Sequence, residues 1–169
     1  ANTDELIKDS EAKFEVKMIL ALRLKNLFSF RDEITLDLPA ASIQTEKGRA
    51  LAGNLFTING EQMLKSVAVL GANASGKSNI IKGIRACIDM IRSSHNYNEN
   101  TVFDIVPFKF DRYDKKPSSF YVRFLLDGIE YEYSFSMTQT EILTEHLYYY
   151  PNGRRSLVFS RDESKGTDK

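Results

Sequence analysis

Gly71-Ala72-Asn73-Ala74-Ser75-Gly76-Lys77-Ser78 fills every fixed position of the spacing G-x-x-x-x-G-K-[ST], and no other feature of the chain restricts its fold as strongly. A turn of this kind binds phosphate only when a strand feeds it and a helix leaves it. Both flanks agree with that demand. Ser66-Val67-Ala68-Val69-Leu70 is a short, continuously apolar run, which predicts a strand covered on both faces. After the glycines, Ile80, Ile84, Cys87, Ile88 and Ile91 recur at helical spacing, with Lys82, Arg85, Asp89 and Arg92 elsewhere on the wheel. The pattern predicts a helix from about Lys77 to Ser93.

Each residue type in the octapeptide has a physical reason. Gly71 and Gly76 let successive backbone N–H groups close around phosphate oxygens, where a Cβ would intrude or the required φ would be costly. The helix directs its N-terminal N–H groups and positive dipole end at the same place. The Lys77 ammonium offsets charge on the β and γ phosphates, and the Ser78 hydroxyl supplies an oxygen to Mg²⁺. The expected ligand is therefore ATP, or a closely similar nucleoside triphosphate, with Mg²⁺. Gly71, Ala72, Asn73, Ala74, Ser75, Gly76, Lys77 and Ser78 are the candidate binding residues, Lys77 and Ser78 the candidate catalytic ones, and the amides of Asn73 to Lys77 the holders of the β-phosphate.

What the sequence lacks narrows the class. It contains neither Asn-Lys-x-Asp nor Asp-x-x-Gly, the base-reading and Mg²⁺-linked elements of GTPase switches. ATP hydrolysis also needs an apolar strand ending in a carboxylate. Phe124-Leu125-Leu126-Asp127 is the one candidate, yet Asp127-Gly128 lies between two alternating runs and reads better as a hairpin turn. A Leu-Ser-Gly-Gly type signature is absent as well. The expectation is the N-terminal part of a longer ATPase.

The remaining chain alternates like half-buried strands. Val16, Met18, Leu20, Leu22 and Leu24, then Ile34, Leu36 and Leu38, predict one hairpin. Phe56 and Ile58 before Asn59-Gly60 predict a short strand, after a loop at Ala40 to Ala50. Phe120 to Leu126 and Ile129 to Phe135 flank Asp127-Gly128, and Ile142 to Tyr150 and Leu157 to Phe159 flank Pro151-Asn152-Gly153. Ser94 to Lys116 is polar and irregular. The domain expectation is a terminal tail over 1–15 that is frayed or extraneous, then one lobe over 16–169. Its nucleotide-binding core occupies about 16–93, and its antiparallel hairpins about 117–160. The fold class is α/β, a P-loop nucleotide-binding core with an antiparallel, aromatic-rich β subdomain.

Composition closes off other functions. Twenty-three basic and twenty-three acidic side chains cancel, so any polyanion contact has to be local. One cysteine, Cys87, excludes an internal disulfide, and His95 and His146 stand at no ligand or catalytic spacing. No apolar run approaches the roughly 20 residues of a membrane helix, and no secretory leader is legible, so a reducing cytoplasm is expected. Tyr148, Tyr149 and Tyr150 beside Arg154 and Arg155 interleave rings with charge, as single-stranded nucleic-acid sites do, although a half-buried strand with solvated arginines explains them more simply.

Leu22-Arg23-Leu24-Lys25-Asn26-Leu27-Phe28-Ser29-Phe30-Arg31, followed at a distance by Val69 to Asn79, resembles the N-terminal lobe of SMC-like and RecF-like ATPases of the ABC superfamily. More narrowly, the chain is similar to bacterial AAA-type ATP-binding proteins related to OLD nucleases and to abortive-infection, phage-resistance proteins. Pro107-Phe108-Lys109-Phe110, Asp127-Gly128, and Leu147-Tyr148-Tyr149-Tyr150-Pro151 with Gly153-Arg154-Arg155 carry that narrower likeness. The resemblance implies that Ser29, Phe30 and Arg31 lie near adenine and ribose, and that Asn73 and Asn79 flank the phosphate loop. It implies Gln139 as the only candidate for a metal-linking glutamine, although a solvated turn explains that residue better. It further implies a second, C-terminal ATPase half, an ATP-dependent homodimer, and an attached effector or nuclease domain. DNA contact stays open. A small-molecule or nucleotide kinase and a non-hydrolysing, ATP-responsive module are the alternatives.

Overall fold

The protein's structure, a computed structural model, describes residues 18–41, 52–58, 60–98 and 100–163. The expected tail, the strand start at Val16, most of the loop from Ala40 to Ala50, and Asn59 lie outside the described residues.

Among the described residues, eight strands and one long helix form the architecture. Strand β1 (Met18–Lys25) pairs antiparallel with β2 (Ile34–Asp37), so the first predicted hairpin is present. β3 (Leu55–Ile58) and β4 (Glu61–Leu64) make a separate two-stranded hairpin, and Gly60 in their turn has φ 84°. Only the first of that pair was expected, since Glu61-Gln62-Met63-Leu64 carries a single buried side chain. Helix α1 (Lys77–Ser93) occupies the predicted span.

β5 (Ser118–Leu126), β6 (Ile129–Met137), β7 (Ile142–Tyr150) and β8 (Ser156–Asp162) complete a six-stranded sheet of order β2-β1-β5-β6-β7-β8, antiparallel throughout. Asp127 (φ 50°) and Gly128 (φ 79°) both lie in the left-handed region between the paired Leu126 and Ile129. Two positive φ values in succession define the two-residue hairpin turn that matches strand twist. Asp127 therefore ends no metal-binding strand.

Register explains the core. Leu24, Phe120 and Phe135 are successive partners across β1, β5 and β6, as are Leu22, Val122 and Tyr133, so all six project to one face and are buried. Phe120 and Phe135 stack with centroids 4.6 Å apart. Cys87 and Met90 of α1 close that face, and Ile105 reaches it from the irregular stretch before β5. Burial pushes the Cys87 thiol up to about 12, as an enclosed thiol requires. The helix stripe is centred on Gly83, Cys87 and Met90 rather than on the isoleucines, because the sheet approaches most closely where a glycine leaves room.

That approach is tight. A Cβ built on Gly83 would overlap the Leu24 side chain, which is fully buried and has nowhere to retreat. Gly83→Ala, normally favourable in a helix, is expected to lower stability by about 1–3 kcal/mol, the usual range for forcing a methyl into a packed core. A denaturant midpoint at or above wild type would show that α1 can lift from the sheet without cost.

One expectation is corrected here. Ser66 to Leu70 was predicted as a strand covered on both faces, yet it forms no strand and every residue in it is exposed. Leu70 is 90% accessible, Val67 44% and Val69 43%. The six-stranded sheet closes without it, and among the described residues no strand lies along its edges. An apolar run acquires strand structure only when a neighbour takes its N–H and C=O groups.

Candidate functional site

The loop after Leu70 is built around two glycines that touch different things. A Cβ on Gly71 would stand 2.7 Å from Ser75 Oγ, so this glycine lets the loop fold on itself. Gly76, the residue capping α1, has φ 92° and packs against the turn after β1: a Cβ there would lie 2.6 Å from Ser29 Oγ and 3.0 Å from the Phe30 ring. Ala74 takes φ 63° without being a glycine. Ala74 and Gly76, both left-handed, put two reversals into the loop, and Ser75 N–H closes one of its turns on Ala72 O at 3.3 Å.

The Lys77 side chain folds back across this loop. Its Nζ donates to Gly71 O at 2.8 Å and to Ala72 O at 2.6 Å. An ammonium has three donors, so the same group keeps one for a ligand while bracing the loop. Gly76 offers no side-chain cap, and the first turn of α1 contains no acidic residue. The positive end of the helix is thus left to an outside anion. Residues 71–75 and Ser78 are exposed, so the loop is open to solvent.

Of Ser29, Phe30 and Arg31, expected from the resemblance to lie near the nucleoside, Ser29 and Phe30 are brought against Gly76 of the loop, whereas Arg31 pairs with Asp32 and Asp111. Asn79 Nδ2 donates to Ser29 Oγ at 2.9 Å, and Lys82 Nζ stands 5.0 Å from the Phe28 ring centroid, a cation–π distance. The turn itself is closed by paired bonds between Leu27 and Phe30, 2.9 and 2.8 Å long. Arg31 binds Asp32 with Nε at 3.1 Å and Nη2 at 2.9 Å, and its Nη1 is 3.5 Å from Asp111 Oδ2. Hydrogen bonding to Asp32 raises the guanidinium above its ordinary value, so Arg31 is a fixed cation.

Asn26 had no assigned role, yet it holds this turn in place. Its Nδ2 donates to Tyr113 O (2.9 Å), Lys116 O (2.8 Å) and Pro117 O (3.2 Å), while Oδ1 accepts Phe108 N–H at 3.0 Å. Its own carbonyl accepts Ser118 Oγ at 2.6 Å. It is buried at φ 53°, a conformation asparagine tolerates better than most residues. An asparagine directly after an alternating strand is the one sequence signal that could have marked it.

Gln139 sits in the turn between β6 and β7, where Nε2 donates to Ile105 O at 3.0 Å and its carbonyl accepts Phe103 N–H. These bonds fasten the 103–105 segment and do not reach the loop. Among the described residues no cluster of three His, Cys, Asp or Glu side chains could hold a metal. His95 is exposed, and His146 on β7 bonds Ser160 Oγ at 2.8 Å.

The three tyrosines do not make one platform. β7 alternates, so Tyr149 stacks on Tyr131 at 6.2 Å on one face, while Tyr148 lies under Arg155 at 3.5 Å on the other. Arg155 Nε also donates to Glu132 at 2.9 Å, which cancels the charge a nucleic-acid backbone would seek. Burial and a hydrogen bond to Glu132 push the Tyr150 phenol up to about 12.

A family model described as AAA domain, putative AbiEii toxin, Type IV TA system, matches residues 66–167, more than half of the chain. The match starts at Ser66, where the apolar run into the glycine loop begins. No curated protein and no solved structure matches.

Proposed function

The chain belongs to the family of AAA domains described as putative AbiEii toxin, type IV TA system, and from that premise we propose that it is the ATP-binding lobe of an ABC/SMC-like ATPase whose hydrolytic carboxylates lie outside these 169 residues. The observation that carries the reading is the open loop at 71–78 between an uncapped helix end and the back-folded Lys77.

In this reading the amides of Asn73 to Lys77 hold the β-phosphate, Lys77 neutralises the β and γ groups, and Ser78 gives its hydroxyl to Mg²⁺. The donor set fits a triphosphate because it offers N–H groups and a cation, and because Gly71 and Gly76 allow the close approaches to Ser75 and to Ser29 and Phe30 that shape the loop. Mg²⁺, when bound, screens the phosphate charge that would otherwise repel an attacking water. This reading assigns the nucleoside end to Ser29, Phe30 and Arg31, and the contacts of Asn79 with Ser29 and of Gly76 with Ser29 and Phe30 support it.

Two observations support a hydrolytic half elsewhere. Asp127 is spent in a hairpin turn, and the apolar Val67 to Leu70 is exposed, as a strand waiting for a parallel neighbour would be. ATP held between two such lobes would favour a homodimer and signal to an attached effector or nuclease, in phage defence or a type IV TA system.

The isolated protein is expected to bind MgATP but to release phosphate at a rate near background. Calorimetry and a phosphate-release assay on the same preparation test both halves. Steady turnover that disappears in Lys77→Ala would mean the hydrolytic groups are already present.

A further inference from the structure

We propose that the exposed Phe110 ring is the stacking surface for the base of the nucleotide whose phosphates occupy residues 71–78; the inference rests on the function proposed above and adds the nucleoside subsite to it.

The argument follows a path of contacts outward from the loop. Gly76 packs on the Phe30 ring, and Arg31 is the next residue, about 3.8 Å further along the chain. Arg31 Nη1 lies 3.5 Å from Asp111 Oδ2, and Phe110 immediately precedes Asp111. Phe110 is thus tied, through Asp111 and Arg31, to the turn that touches the phosphate loop.

Its posture is imposed. Tyr113 N–H donates to Phe110 O at 3.0 Å, closing a turn whose two central residues, Asp111 (φ 56°) and Arg112 (φ 59°), are both left-handed and neither is glycine. Such a turn normally takes Asn-Gly or Asp-Gly, so a second non-glycine residue is held against its preference. Three contacts hold it: the Arg31–Asp111 pair, the bonds from Asn26 Nδ2 to Tyr113 O and Lys116 O, and the Phe108 ring. Phe108 meets Phe110 edge-on at 5.6 Å and Tyr113 at 6.3 Å. The outcome is an aromatic ring supported on one side and 70% exposed on the other.

The surroundings select the occupant. Lys109, Asp111 and Arg112, its neighbours along the chain, are charged and exposed, so Phe110 is flanked by charge and not by an exposed apolar run. A single ring among charges suits a flat π partner that stacks on it and turns a polar edge to its neighbours. A nucleobase has that form.

The test compares Mg²⁺-ATP with Mg²⁺-tripolyphosphate, which shares the phosphates and lacks the nucleoside, by calorimetry. Phe110→Ala, at an exposed position, is expected to weaken ATP about tenfold, the usual effect of removing one stacking ring, and to leave tripolyphosphate unchanged. Phe110→Trp should restore ATP affinity. Because the native sequence has no tryptophan, the introduced indole should be quenched by ATP and not by tripolyphosphate. Equal affinity of the wild type for the two ligands would overturn the stacking role while leaving the phosphate loop intact. So would equal weakening of both, or of neither, by Phe110→Ala, or a change in oligomeric state as its only effect. Failure of both ligands to bind the wild type would instead remove the loop reading, and this one with it.

Discussion

Lys77→Ala is expected to weaken MgATP binding by at least about 100-fold while leaving the protein folded. Among the described residues the ammonium is the cationic group bonded into the loop, and a charge-assisted contact to phosphate contributes about 1.5–3 kcal/mol, each 1.4 kcal/mol being tenfold in affinity. Losing the brace to Gly71 O and Ala72 O adds to that, because the loop must then be ordered by the ligand itself. Stability should change little, since both carbonyls belong to exposed residues and water can replace the amine. Calorimetry gives the affinity and a thermal melt the stability. A variant that binds MgATP within a factor of five of wild type would show that the loop is not the phosphate site. Lys77→Arg separates charge from shape: a planar guanidinium cannot fold back as a compact ammonium does, so only part of the affinity should return.

Asn26→Ala should cost the fold about 4 kcal/mol. The substitution strands three carbonyls, from Tyr113, Lys116 and Pro117, and the Phe108 N–H, around a buried position. Each unsatisfied buried group costs about 1–3 kcal/mol, less for any that water can reach, and φ 53° is harder for alanine than for asparagine. Against a total stability of about 5–15 kcal/mol, that is a large share. Asn26→Asp keeps the acceptor for Phe108 N–H but points a carboxylate at three carbonyls, so it should do no better. Urea unfolding with an unchanged slope measures both variants. A loss under 1 kcal/mol would mean the 108–118 segment is held by something other than this side chain. Because that segment backs the Ser29–Arg31 turn, the variant should also weaken ATP more than tripolyphosphate.

Most local elements were legible because their causes are local. Alternation of Leu20, Leu22 and Leu24, and of Phe120, Val122 and Phe124, follows from the two-residue period of a strand with one buried face. Asp127-Gly128 marked its turn because few residue pairs accept two left-handed conformations. The helix began at Lys77 because the glycine before it caps the helix from the left-handed region. The octapeptide likewise stood out by its spacing, since glycine, lysine and serine at these fixed offsets form a motif that few chance stretches complete.

Other features depended on neighbours distant in sequence. Ser66 to Leu70 reads as strand by composition, but pairing is a property of two segments, and no partner for it stands among the described residues. Gly83, not an isoleucine, centres the helix face because Leu24 comes so close there, and nothing in α1 itself records that distance. Three consecutive tyrosines look like one platform until the strand distributes them over two faces.

The sequence by itself determined which loop carries the proposed phosphate site and which stretches would be helix or hairpin, because those rest on motif spacing and periodicities that a few adjacent residues dictate. Only the tertiary structure decided that Asn26 is the anchor of the Ser29–Arg31 turn, that Asp111 reaches Arg31, and that Phe110 is left exposed beside them. Those facts arise from hydrogen bonds and ion pairs between residues some eighty positions apart, whose partners are chosen by the way the sheet brings β1 and β5 together.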